Sequence, residues 1–211
     1  MADEQDFSLT PIHFFAISGE CKRLSKAETA PPLASHQLPS TADLCDEQEF
    51  ADVAIGWHEN GLGFNIHVDS PFTKSVFPDI AKGDSVELMI DARDMKSAGF
   101  NTRFCHHFFF LPKETEGRIA GEITRFRTED RHPLCDSNLL KCETKMGSDS
   151  YSMKIFIPAD CLYGYDPKQF DRIGFTYRIN RAGDSPQHFS VSSNEFNIGQ
   201  QPSLWASLHL K

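Results

Sequence analysis

Asp84-Ser85-Val86-Glu87-Leu88-Met89-Ile90-Asp91 alternates apolar and polar side chains along its length. Successive Cβ atoms of a β-strand point to opposite faces, so Val86, Leu88 and Ile90 share a core face and Ser85, Glu87, Met89 and Asp91 share the other. A strand that buries one side and presents acceptors on the other suits a ligand-binding sheet.

Ile173-Gly174-Phe175-Thr176-Tyr177-Arg178-Ile179-Asn180 repeats the pattern, with Thr176, Arg178 and Asn180 turned away from Ile173, Phe175, Tyr177 and Ile179. Over 103–111, Phe104, Phe108 and Phe110 take the core together with His106, leaving Arg103, Cys105, His107 and Phe109 opposite. Glu87, His107, Arg178 and Asn180 then line one concave sheet face and are the candidate ligand-binding residues. Two readings of that face stay open. It is a binding surface, or it is a solvated face on which Glu87 and Arg178 form a cross-strand ion pair worth under about 1 kcal/mol.

The remaining segments predict an all-β chain. Segments 50–57 and 62–68 flank His58-Glu59-Asn60-Gly61, where Asn-Gly supplies the positive φ of a tight hairpin. Further short strands are predicted over 84–91, 103–111, 118–126, 139–145, 151–157, 173–180, 187–192 and 204–210, separated by Gly, Pro and Asp. That spacing argues for a two-sheet antiparallel β-sandwich or jelly roll. Residues 7–17 read as an opening strand. The stretch 28–44, with Pro31, Pro32 and Pro39 removing ladder donors, reads as a long loop around the sandwich edge. Helix is expected only as turns near 159–162 and 167–170. The whole of 1–211 is predicted to be one domain.

The chain's 211 residues can fill one core, and its net charge of −9 disfavours a nucleic-acid partner. The acidic start, Met-Ala-Asp-Glu, and the lack of any apolar run near the ~18 residues of a membrane span predict a soluble, cytoplasmic protein. Six scattered cysteines without a CxxC pair predict free thiols. Gly-x-Ser-x-Gly, His-Glu-x-x-His, P-loop and Rossmann signatures are all absent, and Asp91 with Asp94 lacks an acid partner. No enzymatic activity is expected.

In order and spacing, the hairpin, Asp84–Asp91, Tyr151-Ser-Met-Lys-Ile-Phe-Ile-Pro158, Ile173–Asn180 and Pro202-Ser-Leu-Trp205 resemble carbohydrate-binding module family 9 and its DOMON-like relatives over about 50–210. The resemblance implies a β-sandwich that binds carbohydrate without catalysis, often with calcium. It also implies that Glu87 accepts hydrogen bonds from sugar hydroxyls. The two tryptophans that sandwich the sugar in such modules align with Ala81 and the neighbourhood of Gly199, so neither platform is present. Lys154 stands where the family has Glu, and Arg178 and Arg181 stand where sugar-binding members have Gln and Asp. Those cations shift the expected ligand from a neutral sugar towards an acidic glycoconjugate. The alternative is a cytoplasmic protein-interaction or scaffold domain that kept the sandwich and lost the sugar site.

Three local features carry weaker expectations. Cys105 and His107 point the same way and are good zinc or copper ligands, but two ligands do not make a site. Met89 and His107 could in principle hold haem, as some DOMON relatives do. Trp57 at a hairpin mouth could serve as a sugar platform, whereas Trp205 reads as core. No metal ligand is assigned, and calcium is expected only through the resemblance.

Overall fold

A computed structural model of the chain describes residues 17–25, 28–194 and 196–211. Eleven strands form two packed sheets that share one strand. These are β1 (Ser18–Arg23), β2 (Ala51–His58), β3 (Gly61–Val68), β4 (Ser85–Asp91), β5 (Cys105–Thr115), β6 (Arg118–Glu122), β7 (Lys141–Met146), β8 (Tyr151–Pro158), β9 (Arg172–Asn180), β10 (Gln187–His188) and β11 (Ala206–Leu210). The first sheet runs β6-β5-β4-β9-β11-β1, with β10 continuing beside β9; the second runs β1-β2-β3-β8-β7.

β1 changes sheets along its length. Ser18 to Cys21 pair in parallel with β11, and Lys22 and Arg23 pair in parallel with β2. These are the two parallel pairings in an otherwise antiparallel sandwich. The opening strand expected over 7–17 lies outside the described residues except for Ile17.

The alternation read from the sequence sets the core. Val86, Leu88 and Ile90 of β4, Phe108 and Phe110 of β5, and Ile173, Phe175, Tyr177 and Ile179 of β9 meet Leu62, Phe64, Ile66 and Ile155 of the second sheet. Phe64 and Phe175 stack across the interior with ring centroids 5.8 Å apart. The hairpin forms with Glu59 and Asn60 as its loop, and the positive φ falls on Gly61 (+144°). A Cβ there would lie 2.2 Å from the Ile157 carbonyl oxygen, so β8 as well as the turn demands glycine.

The proline-rich stretch does cover an edge. Leu38 N–H donates to the Val53 carbonyl, Gln37 bridges Ala54, and Asn65 Nδ2 donates to the Pro31 carbonyl. It also carries two one-turn helices that the sequence reading did not place, Leu33–His36 and Ala42–Cys45. Of the expected turns, Ala159–Cys161 is a 3-10 turn, whereas 167–170 closes only through amide bonds to the Asp166 carbonyl. Among the described residues no helix is long and apolar enough to cross a membrane.

The expectation of free thiols fails at one pair. Cys135 and Cys161 form a disulfide, because the connection after β6 folds back beside the turn that follows β8, a proximity that spacing alone does not reveal. Cys21, Cys105 and Cys142 remain thiols. Closing a loop across 26 positions removes unfolded-chain entropy worth about 3 kcal/mol. Replacing both partners by serine should therefore lower unfolding free energy by about 3 kcal/mol in denaturant titrations. Alkylation under non-reducing conditions followed by mass spectrometry should recover the two peptides linked; separate, fully alkylated peptides would refute the pairing.

Candidate functional site

The outer face of the first sheet is the floor of a cleft of about 790 Å³. One wall is the segment from Phe77 to Lys82 and the other is formed by Ser193, Asn194 and the segment from Phe196 to Gln200. Each wall is anchored by its own apolar cluster. Phe77 and Ile80 pack with Phe109 and Leu111, while Val191, Ile198 and Trp205 pack with Met89 and Cys105. The face that alternation left polar is thus roofed at both ends, and only its middle is open.

Strand register sets the floor. Gly121, Phe109, Glu87, Arg178 and His188 lie opposite one another in a row across β6, β5, β4, β9 and β10. The Phe109 ring lies over Gly121, where a Cβ would come within 2.7 Å of it. His107, one pleat along β5, reaches Glu87 diagonally.

Glu87 is the hub and is 2% exposed. Its Oε1 accepts from Arg178 Nε at 2.8 Å and Asn180 Nδ2 at 2.8 Å, and its Oε2 accepts from His107 Nε2 at 2.8 Å. Burial alone would raise the pKa of this carboxyl; the hydrogen bonds and charges of His107, Arg178 and Asn180 outweigh it and hold the group at about 2. A carboxylate offers about four lone-pair positions, so Oε2 keeps room for one more donor from the cleft.

All four sequence-assigned residues converge, with different roles. Glu87, His107 and Arg178 line the cleft. Asn180 is buried behind it, donating to Glu87 and to Ser85 Oγ at 2.9 Å, and so positions the carboxylate. The Glu87–Arg178 ion pair exists but is not a solvated one. Arg181 is spent elsewhere, on Asp184 and over the Phe50 ring, and Lys154 sits on β8 of the other sheet. Of the expected extra cations only Arg178 reaches the cleft.

Sequence reasoning missed Phe77, Lys82, Arg125 and Phe196, which complete the lining. Phe77, Lys82 and Phe196 come from irregular segments with no periodicity to read, and Arg125 lies beyond the end of β6, whose predicted strand ran too far. Ala81 and Gly199, the positions aligned with the missing tryptophans, both line the cleft. At Gly199 a Cβ would already be 2.9 Å from the His107 ring, so the imidazole occupies the space a larger side chain would need. Trp57 lies half-buried at the sheet edge, donating to the Lys211 carbonyl under Arg23, and Trp205 is fully buried, donating to the Ile198 carbonyl.

Beside the cleft, Glu47, His188 and Ser193 form a hydrogen-bonded series. His188 Nδ1–H donates to Glu47 Oε1 at 2.6 Å, and Ser193 Oγ lies 2.7 Å from His188 Nε2. This is the order of an acyl-transfer triad. Such a nucleophile needs backbone N–H groups free to stabilise an oxyanion. Here the Ser193 N–H donates to His188 Nε2 and the Asn194 N–H to Ser192 Oγ. The series ties Ser193 of the cleft wall to β10 and to Glu47.

The residues behind the metal expectations are already engaged by protein partners. Calcium takes six to eight oxygens. The buried Asp84 and Asp91 are instead capped by backbone N–H groups of Thr73, Lys74 and Ala182 and of Arg93 and Met95, and Asp94 is paired with Lys96 and Ser207. These carboxylates do not fit a calcium cage. Cys105 and His107 do not form a site either: burial pushes the thiol up to about 12, and His107 is engaged by Glu87. Met89 and His107 are direct neighbours on adjacent strands of one face, too close side by side to flank a haem.

No protein-family model matches this sequence, and no curated protein matches it. The fold does match solved structures. A carbohydrate-binding module family 9 from Caldicellulosiruptor kristjanssonii in complex with cellotriose aligns over 92% of this chain and 93% of that chain, with a TM-score of 0.65 at 19% identity. A structure described in the same words but in complex with glucose aligns over 92% and 95%, with a TM-score of 0.62 at 18% identity. The chain has a family 9-like β-sandwich fold.

Glu87 titrates in contact with His107 of β5 and Arg178 and Asn180 of β9, and its folded value is depressed from about 4.3 in an unfolded chain. Its stabilising contribution is therefore complete above about pH 4.5 and is lost as pH falls towards 2. Melting temperature followed by circular dichroism should drop through that window. Glu87→Gln should cost about 3 kcal/mol at neutral pH, since it removes the buried carboxylate that pairs with Arg178 and accepts from Asn180, and should flatten the acid drop. An unchanged slope in the variant would remove Glu87 as its source.

Proposed function

We propose that the chain binds carbohydrate in this cleft without chemically altering it, and that the ligand carries an acidic group. The observation that carries the reading is the row Phe109–Glu87–Arg178, with His107 beside it, at the open centre of a sheet whose fold matches modules in complex with cellotriose and glucose. Aromatic surface, a buried acceptor and a guanidinium are what a sugar ring with hydroxyl and carboxylate substituents requires. Phe77 and Phe196 supply apolar contact in place of the absent tryptophans. Among the described residues the lining includes three cations, Lys82, Arg125 and Arg178, against two carboxylates, Asp79 and Glu87, in a chain of net charge −9. That local reversal favours an acidic glycoconjugate over a neutral one.

Screening the protein against neutral and uronate- or sulfate-bearing glycans, followed by titration calorimetry, is expected to give a hit among the acidic set. Glu87→Gln and Arg178→Ala should each weaken it about tenfold or more, the loss of a buried charged hydrogen bond. Acetylated sugars incubated with the protein should come back intact. Silence across both glycan sets would leave the protein-interaction reading in its place.

A further inference from the structure

Away from the cleft, His106 of β5, Glu122 of β6 and His132 of the following connection converge in the interior, with side chains 0%, 0% and 2% exposed. Their nearest ligand atoms all lie within 4.8 Å of one another. His106 Nδ1 is 3.0 Å from Glu122 Oε1, and His132 Nε2 is 2.9 Å from the same oxygen. The other carboxylate oxygen accepts the Cys135 N–H at 2.7 Å, which fixes the group's orientation.

Counting hydrogens shows what the contact between His132 and Glu122 requires. His132 Nδ1 lies 2.7 Å from the Arg103 carbonyl, which can only accept, so Nδ1 carries the ring hydrogen. Nε2 faces a carboxylate oxygen that already accepts from Thr124 Oγ1 at 2.6 Å, and at 2.9 Å the contact requires a positive charge between the two atoms, a proton or a metal ion. A ring nitrogen held by a backbone carbonyl, with its partner nitrogen facing a second histidine and a carboxylate, is how proteins orient histidine towards a metal.

We propose that His106 Nδ1, Glu122 Oε1 and His132 Nε2 bind a zinc-class divalent cation. Two imidazoles and one carboxylate suit such an ion and not calcium. Bonds of about 2.0–2.2 Å at tetrahedral angles set ligand atoms about 3.3 Å apart; the two histidine–carboxylate separations, 3.0 and 2.9 Å, are close to that, and the two imidazole nitrogens lie within 4.8 Å of each other. The rings are already held. His106 stacks on Phe108, and His132 lies between Phe126 and Tyr163. The fourth position is left to a water. Burial keeps substrates out, so the ion is structural: it clips the connection after β6 to the first sheet, beside the Cys135–Cys161 disulfide.

The test uses the full chain without a histidine tag, produced in zinc-supplemented medium and analysed by plasma mass spectrometry. About one zinc per chain is expected, and cobalt(II) exchanged into the stripped protein should show the visible absorption of a low-coordinate site. Stripping with dipicolinate, but not with calcium-selective EGTA, should lower Tm by roughly 10 °C. His132→Gln should lose the metal and His209→Gln should retain it. If His132→Gln does not fold, zinc content and the cobalt spectrum of the wild-type chain still decide. A folded wild-type chain that holds no zinc, gives no cobalt spectrum and gains no Tm from added zinc would overturn the proposal, leaving a proton in the metal's place.

Discussion

A carboxylate at the centre of a nearly dry sheet face is the constraint around which the first sheet is arranged. Glu87 cannot remain ionised there without donors, since an unpaired buried charge costs several kcal/mol. β9 answers with Arg178 opposite and Asn180 on the diagonal, and β5 answers with His107. None of these side chains can be repositioned alone, because each is set by strand register, and a one-residue slip would turn all of them into the hydrophobic interior. The polar cluster and the core thus specify the same pairing from opposite faces. The two walls then restrict how much of that face water or a ligand can reach.

Much of this was legible in the sequence because strand periodicity is strict. Alternation at 84–91 and 173–180 fixed which residues face the core, and the convergence of Glu87, His107, Arg178 and Asn180 followed once β4 lay between β5 and β9. What alternation cannot express is what lies over a face. Met89, Cys105 and Phe109 read as exposed, yet all are buried, because irregular segments around Ile80 and Ile198 cover them. Phe77 and Phe196 sit in those segments, where no period marks them. The same limit hid the meeting of His106 with His132 and of Cys135 with Cys161: His132 and Cys135 both lie in the connection after β6, whose return path is set by packing and not by local pattern.

The two clusters on β5 show how neighbouring residues of one strand divide labour. His107 points outward to Glu87 and the cleft, and His106 points inward to Glu122. Each imidazole is matched by a carboxylate from the adjoining strand, β4 on one side and β6 on the other. Displacing β5 would disturb both at once, so the open site and the buried site share one mechanical support.

β1 has a consequence for how the molecule can assemble. It joins the two sheets, yet its partner on one side, β11, lies almost the whole described sequence away. Closing such a distant contact is entropically slow, and a nascent chain emerging from the ribosome cannot make it until synthesis has passed residue 210. Until then β9 and β1 each present an incomplete border able to recruit a foreign strand. Expression of this protein is therefore exposed to aggregation during translation more than the finished fold would suggest, and slowing elongation lengthens that interval.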